Sequence, residues 1–185
     1  MSYIYIIPIE TSPLFWFESL TAGIFRVFGM RTKCVKFSMD ISKAFDPLRQ
    51  QYNSSHLLSR LIDRPLADAD KVLGVAEVDL FIPILTFVFG EAQLEGPGAI
   101  VSTHRLNNKF YGLPENQTLL AQRIVKESIH ELGHTFGLLH CSSPGCVLNS
   151  STYVEDIDQK SGDMCARCRE QLHIMQHHES GKERL

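Results

Sequence analysis

One eleven-residue stretch, His130-Glu131-Leu132-Gly133-His134-Thr135-Phe136-Gly137-Leu138-Leu139-His140, restricts the fold of this chain more than any other. Residues four apart on a helix share a face, so His130 and His134 present both imidazoles to one point while Glu131 leans over the same point. Gly137 is free to adopt positive φ, which ends the helix and turns the chain so that His140 supplies a third nitrogen from outside it. The fold must therefore contain a helix that stops near residue 137 with a sharp reversal behind it. Three protein donors leave one tetrahedral position open, as in catalytic rather than structural zinc sites. Zinc in such a site lowers the pKa of bound water from about 16 to roughly 7, and Glu131 is placed to take that proton and later deliver it to a leaving amine. A bare His-Glu-x-x-His also arises by accident on charged helices. With 8 His and 12 Gly in the chain, a chance match of all five fixed positions is rare.

Cys141 follows His140 directly; Cys146 comes next and, after 18 intervening residues, Cys165 and Cys168. The C-x4-C and C-x2-C spacings suit thiolate ligation of a metal in a reducing compartment, with disulfides as the competing reading. The extended histidine motif resembles the metzincin clan of zinc peptidases, and the cysteines that follow narrow the resemblance to the archaemetzincin family. That resemblance implies an α/β fold with a metzincin-like mixed, twisted sheet, a backing helix, an active-site helix and a small C-terminal zinc-bound subdomain. It implies His130, His134 and His140 as ligands of a catalytic zinc and Glu131 as the general base. It implies Cys141, Cys146, Cys165 and Cys168 as ligands of a second, structural zinc, making two Zn2+ per chain. The family's methionine in the turn beneath the catalytic metal is Leu148 here, a residue of similar volume.

At 185 residues the chain is long enough for one substantial core and short for two. We expect a single catalytic domain over 1–185, with 1–137 carrying the sheet and helices and 138–185 the subdomain with the cysteine site. A net charge of -3 without a Lys/Arg run argues against nucleic acid or an anionic membrane as the main partner. The longest apolar run, Leu80 to Phe89, holds 10 residues and includes Pro83 and Thr86, against the ~20 that span a bilayer. Residues 1–6 lack a basic leader and a cleavage site, and so read as a first strand of a cytoplasmic protein and not a signal peptide. The expected partner is a peptide substrate, met by a monomer.

Along the chain, residues 3 to 9 are apolar on both faces, as in a buried strand, with Pro8 marking its end. Ser12 and Pro13 form a cap and first turn for a helix whose Leu14, Phe17, Ile24, Phe25 and Phe28 make an apolar stripe before Gly29. Thr32 to Met39 alternates, with Val35, Phe37 and Met39 on one face, and reads as a second strand in which Cys34 is an inert lone thiol. Asn53 or Ser54 caps a short helix bearing Leu57, Leu58, Leu61 and Ile62, and residues 51–55 add to the archaemetzincin resemblance. Lys71 to Ala76 and Phe87 to Phe89 are further strands. Gly98 to Thr103, beside Gly-Pro-Gly, reads as an edge strand to which an extended substrate adds. A helix from Gln117 to Phe136 turns Leu120, Ile124, Ile129 and Leu132 to the sheet. Tyr153 corresponds to a hydroxyl that some metzincins aim at the oxyanion, and here reads as a packing residue. A last helix runs from Cys165 to about Gln176, with the final nine residues frayed. His56, His104, His173, His177 and His178 fall outside any ligand spacing and read as surface or satisfied side chains.

These features converge on zinc-dependent hydrolysis of peptide bonds. With no removable pro-segment visible, a narrow, aminopeptidase-like activity on short peptides or N-termini is expected. The competing reading is a zinc-containing peptide- or partner-binding module with little turnover. Glu131 separates the two, because a pure binding module needs no base beside an open coordination position.

Overall fold

Apolar residues on both sides of the first strand demand cover on both faces of the sheet, and two helical layers supply it. The structure, a computed structural model, describes residues 3–182 except 12, 13, 37 and 65. The expected cap at Ser12 and Pro13 and the strand position of Phe37 lie outside the described residues. The elements run β1 (Tyr3–Ile9), α1 (Phe17–Phe28), β2 (Arg31–Cys34), β3 (Phe45–Asp46), β4 (Gln51–Asn53), α2 (Ser54–Ile62), β5 (Ala69–Ala76) and β6 (Leu80–Phe81). They continue with β7 (Gly90–Ala92), β8 (Gly98–Ser102), α3 (Gln117–Thr135), α4 (Val154–Gln159) and α5 (Ala166–Lys182). The main sheet has the order β2-β1-β5-β8-β7, parallel except for β7, which runs antiparallel to β8; β3, β4 and β6 form a small second sheet. This is the mixed α/β sheet expected.

Alternation along the strands divides the interior in two. Ile4, Ile6, Leu73, Val75, Ala99 and Val101 point to the side where Leu20, Ile24 and Phe28 of α1 and Leu120, Ile124, Ile129 and Leu132 of α3 are buried. Tyr5, Ile7, Ile9, Val72, Ala76 and Ile100 meet Leu57, Leu58 and Leu61 of α2 on the other. Val147, Leu148, Ile157, Met164 and Leu172 extend the first core, so the C-terminal segment shares the packing of the sheet. No helix among the described residues is long and apolar enough to cross a membrane.

Several boundaries differ from expectation, each for a local reason. β1 passes through Pro8 to Ile9, because Pro8 faces the side where β2 has already ended and no ladder hydrogen bond is lost. β2, an edge strand with one neighbour, leaves the sheet after Cys34 instead of running to Met39. Phe25 is 58% exposed, since burial on α1 follows Leu20, Ile24 and Phe28 at four-residue spacing. The strand expected at Phe87–Phe89 lies at Gly90–Ala92, and Val88 instead bridges to Leu80. α5 continues to Lys182, past the expected fraying, with Gln176 Nε2 donating to the Phe28 carbonyl at 3.1 Å. Most consequential, β8 is not an edge. It lies between β5 and β7, and β7 carries the edge at this end of the sheet, opposite β2. Asn53, not Ser54, caps α2 by accepting from the His56 N–H at 2.9 Å.

Candidate active site and metal centres

Helix α3 starts where the Asn116 side chain accepts the Leu119 N–H at 3.0 Å, and its apolar face fixes it against the sheet. Its far end is held with equal care. The buried Lys71 ammonium donates to the carbonyls of Thr135 (3.1 Å) and Gly96 (3.3 Å), placing a cation at the negative end of the helix dipole. Gly137 follows at φ 87°, and a Cβ there would stand 2.9 Å from Glu95 Cγ, so both conformation and space require glycine. The reversal delivers His140.

The imidazole donor atoms of His130, His134 and His140 lie within 4.8 Å of one another. His130 and His134 approach at 3.2 Å between Nε2 atoms. Two nitrogens each ~2.1 Å from one ion at a tetrahedral angle lie ~3.4 Å apart, so the pair suits a shared zinc. Their other ring nitrogens meet carbonyls, His130 Nδ1 at Val147 (2.9 Å) and His134 Nδ1 at Leu138 (2.7 Å). A carbonyl only accepts, which puts the proton on Nδ1 and leaves Nε2 free as a ligand. Burial, then the positive charge of Lys160 among other causes, lowers the His130 pKa well below the ordinary value; burial also lowers those of His134 and His140. All three are thus held in the metal-binding neutral form.

Glu131 is 7% exposed, and burial, then repulsion from Glu127, pushes its carboxyl well up. A nearby divalent cation acts in the opposite sense. Gly90 on β7 forms the wall behind it: a Cβ at Gly90 would sit 2.6 Å from Glu131 Cγ and 2.7 Å from Oε1. One turn earlier on α3, buried Glu127 pairs with buried Lys160 at 3.3 Å. Beneath the helix, the fully buried Leu148 packs on Gly133, where a Cβ would meet its Cδ2 at 2.8 Å. Leu148 therefore fills the floor of the site. Gly90, Glu127, His130, Glu131 and His140 border a cleft of about 310 Å3 between the 85–90 segment and Ser150–Thr152. Hollows of about 460 and 550 Å3 lie near the starts of α1 and α3, away from the three histidines.

The four cysteines of the second cluster are free thiols, also with donor atoms within 4.8 Å. Cys141 and Cys165 stand 3.8 Å apart, far beyond a disulfide bond of ~2.05 Å and equal to the ~3.8 Å expected of two sulfurs ~2.3 Å from one ion at a tetrahedral angle. Burial raises the Cys141 thiol, but hydrogen bonds from Ser143 and Arg167 outweigh it and bring it to about 6. That lowering favours the thiolate, the form that binds metal, at Cys141, while burial and the neighbouring thiols raise Cys146 and Cys168.

Every residue expected in the two ligand sets is thus brought together, and Glu131 stands beside the first set. Tyr153 is not a packing residue; at 66% exposed it lies open to solvent, while the Asp156 carboxylate accepts its N–H and that of Thr152. Cys34 is exposed and apart from both clusters. Sequence reading did not find Gly90, Glu127 or Lys160. The i, i+4 spacing of Glu127 to Glu131 was available as a signal, whereas nothing local marks Gly90 or Lys160. His173 and His177 do stand at a ligand spacing, contrary to expectation, with Nε2 atoms 3.0 Å apart.

The family described as peptidase family M54 matches residues 30–174, and the chain belongs to this family, which makes it a zinc metallopeptidase. Its relatives are archaemetzincins. That of Methanocaldococcus jannaschii is 43% identical over 146 residues, 79% of each chain, and that of Pyrococcus furiosus 40% identical over 176 residues, 91% of each. Among solved structures, the archaemetzincin of Methanopyrus kandleri superposes with a TM-score of 0.85 at 31% identity, covering 95% of this chain and 96% of that one. A zinc-dependent peptidase from Methanocorpusculum labreanum superposes with a TM-score of 0.81 at 33% identity, covering 91% and 99%.

Proposed function

We propose that this chain hydrolyses peptide bonds with zinc held by His130, His134 and His140 and with Glu131 as the proton acceptor and donor. The observation that carries the reading is the convergence of three neutral imidazoles beside one buried carboxylate at the head of an open cleft. Zinc, when bound, supplies Lewis acidity that polarises a carbonyl and acidifies water. The protein does the rest. Val147 and Leu138 fix the ring orientation of two ligands, and Gly90 sets the position of the carboxylate. Glu131 takes the proton of the attacking water and returns it to the departing amine.

The free edge of β7 is the substrate rail in this reading. Phe89 and Gln93 bond to β8 through Ser102 and Gly98, so by strand alternation Gly90 and Ala92 turn their N–H and C=O groups outward. A peptide laid there takes affinity from main-chain bonds. The edge is three residues long and the cleft is small, which supports short peptides or chain ends as substrates and an aminopeptidase-like activity. A second zinc on Cys141, Cys146, Cys165 and Cys168, a single catalytic domain over 1–185, monomeric action and a cytoplasmic location belong to the same proposal. The unpaired thiols support the last.

The test is Glu131→Gln, which keeps shape and removes the base. Zinc content should remain that of the parent while turnover of short peptides with free N-termini falls by ~10² or more. His134→Ala should lose the metal. Full activity in Glu131→Gln would overturn this reading, and rapid internal cleavage of casein would overturn the narrow specificity.

A further inference from the structure

Helix α5 carries a second pair of imidazoles that the hydrolytic site does not use. His173 and His177 lie one turn apart on its solvent side, their Nε2 atoms 3.0 Å apart, their ring centroids 4.2 Å apart and their planes at 65°. The chain has one other histidine pair at this spacing, His130 and His134, and that pair closes to a similar 3.2 Å. Two nitrogens each ~2.1 Å from one ion and ~90° apart lie ~3.0 Å from each other, so the exposed pair has the bite of two adjacent positions on a single cation.

The backbone beneath them is anchored. Cys168 and Leu172 are buried on the inner side of α5, Met175 packs against the first core, and Gln176 is tied to the Phe28 carbonyl. Fixing the helix fixes the separation of the two imidazole stems, so little rearrangement accompanies binding. We propose that His173 and His177 form a third metal site, open to solvent, for a borderline divalent cation of the Cu2+, Ni2+ or Zn2+ class. Imidazole selects these ions over Mg2+ and Ca2+, and among them Cu2+ binds tightest and favours ligands about 90° apart. Ile174 follows His173 where Glu131 follows His130, so the glutamate of the hydrolytic motif has no counterpart at this position. The ion's remaining positions are left to water or to a donor from a partner, and the site is one of binding and not of hydrolysis.

The experiment adds one equivalent of Cu2+ to the full-length protein already loaded with zinc and records the electron paramagnetic resonance spectrum, with zinc content measured before and after. The parent should take up one Cu2+ with two imidazole nitrogens while keeping its zinc. His173→Ala and His177→Ala, both exposed helical positions that tolerate alanine, should each lose a nitrogen from the spectrum and weaken uptake, and His56→Ala should match the parent. Copper taken up only by displacing zinc, or a spectrum unchanged in His177→Ala, would overturn the site and leave the 3.0 Å approach as an imidazole-to-imidazole hydrogen bond. Because the readout is copper and not peptide turnover, its failure is separate from any failure of the hydrolytic reading.

Discussion

At Gly90 a hydrogen in place of a methyl group decides where a carboxylate can stand. The missing Cβ leaves the space that Glu131 occupies, and the same residue turns its main-chain groups to the free edge of the sheet. An added Cβ would press on Glu131 and also stand 2.8 Å from the Ile100 carbonyl oxygen of β8, so Gly90→Ala should keep the zinc but lower thermal stability and reduce kcat by about 10- to 100-fold, since a displacement near 1 Å of a reacting group has that effect. Circular dichroism, zinc analysis and steady-state kinetics check it, and Glu131→Asp in the same background, one methylene shorter, should recover part of the loss. His130, Glu131, His134 and His140 were legible in the sequence because helical periodicity and one glycine bring them together within eleven residues. Gly90 was not, because its constraint comes from a side chain 41 positions away that meets it only once the sheet and α3 are docked.

Among the elements, long and periodic ones were read well and short ones poorly. α3 was placed to within a residue because its apolar face and its glycine both mark it. β7 was placed three residues early, and β8, though found, was taken for an edge, because strand order depends on pairing across the sheet and three residues carry too little pattern to show which strand is outermost. That order has a kinetic consequence. Ala92 points its N–H away from β8, so Ala92→Pro removes a donor to substrate without removing a ladder bond. The expected result is a raised KM for extended peptides with kcat changed little; a KM equal to that of the parent would show that substrate does not use this edge.

For the molecule as a whole, the two ligand sets are joined through the peptide bond between His140 and Cys141, and through Val147, which sits beside Cys146 and accepts from His130. If the cysteines hold a second zinc, as proposed, the two sites are coupled, and loss of metal from either should weaken the hold of the other. Cys165→Ser is expected to lower zinc content by more than one equivalent at limiting zinc, as read by elemental analysis; a loss of one equivalent or less would show the two sets to be independent. Acid should act on the histidine set in a defined direction. His130, His134 and His140 have pKa values lowered from the ordinary histidine value of about 6.5. Their neutral, ligating form thus prevails at pH 7 and is lost as pH falls through those lowered values. Zinc at this site should persist in dialysis at pH 7 and leave only as the buffer is taken well below 6.5.

The order of elements along the chain also sets an order in time. Every strand of the main sheet precedes residue 103, and every donor atom of the two ligand sets follows residue 129. A ribosome working from the first residue to the last therefore delivers the complete β framework before the first of these imidazoles exists, and the cysteine that completes the second set arrives only at residue 168. Until residue 140 is added the nascent chain carries its β framework without the full set of three imidazoles, and so lacks the site with which it could cut itself or its neighbours.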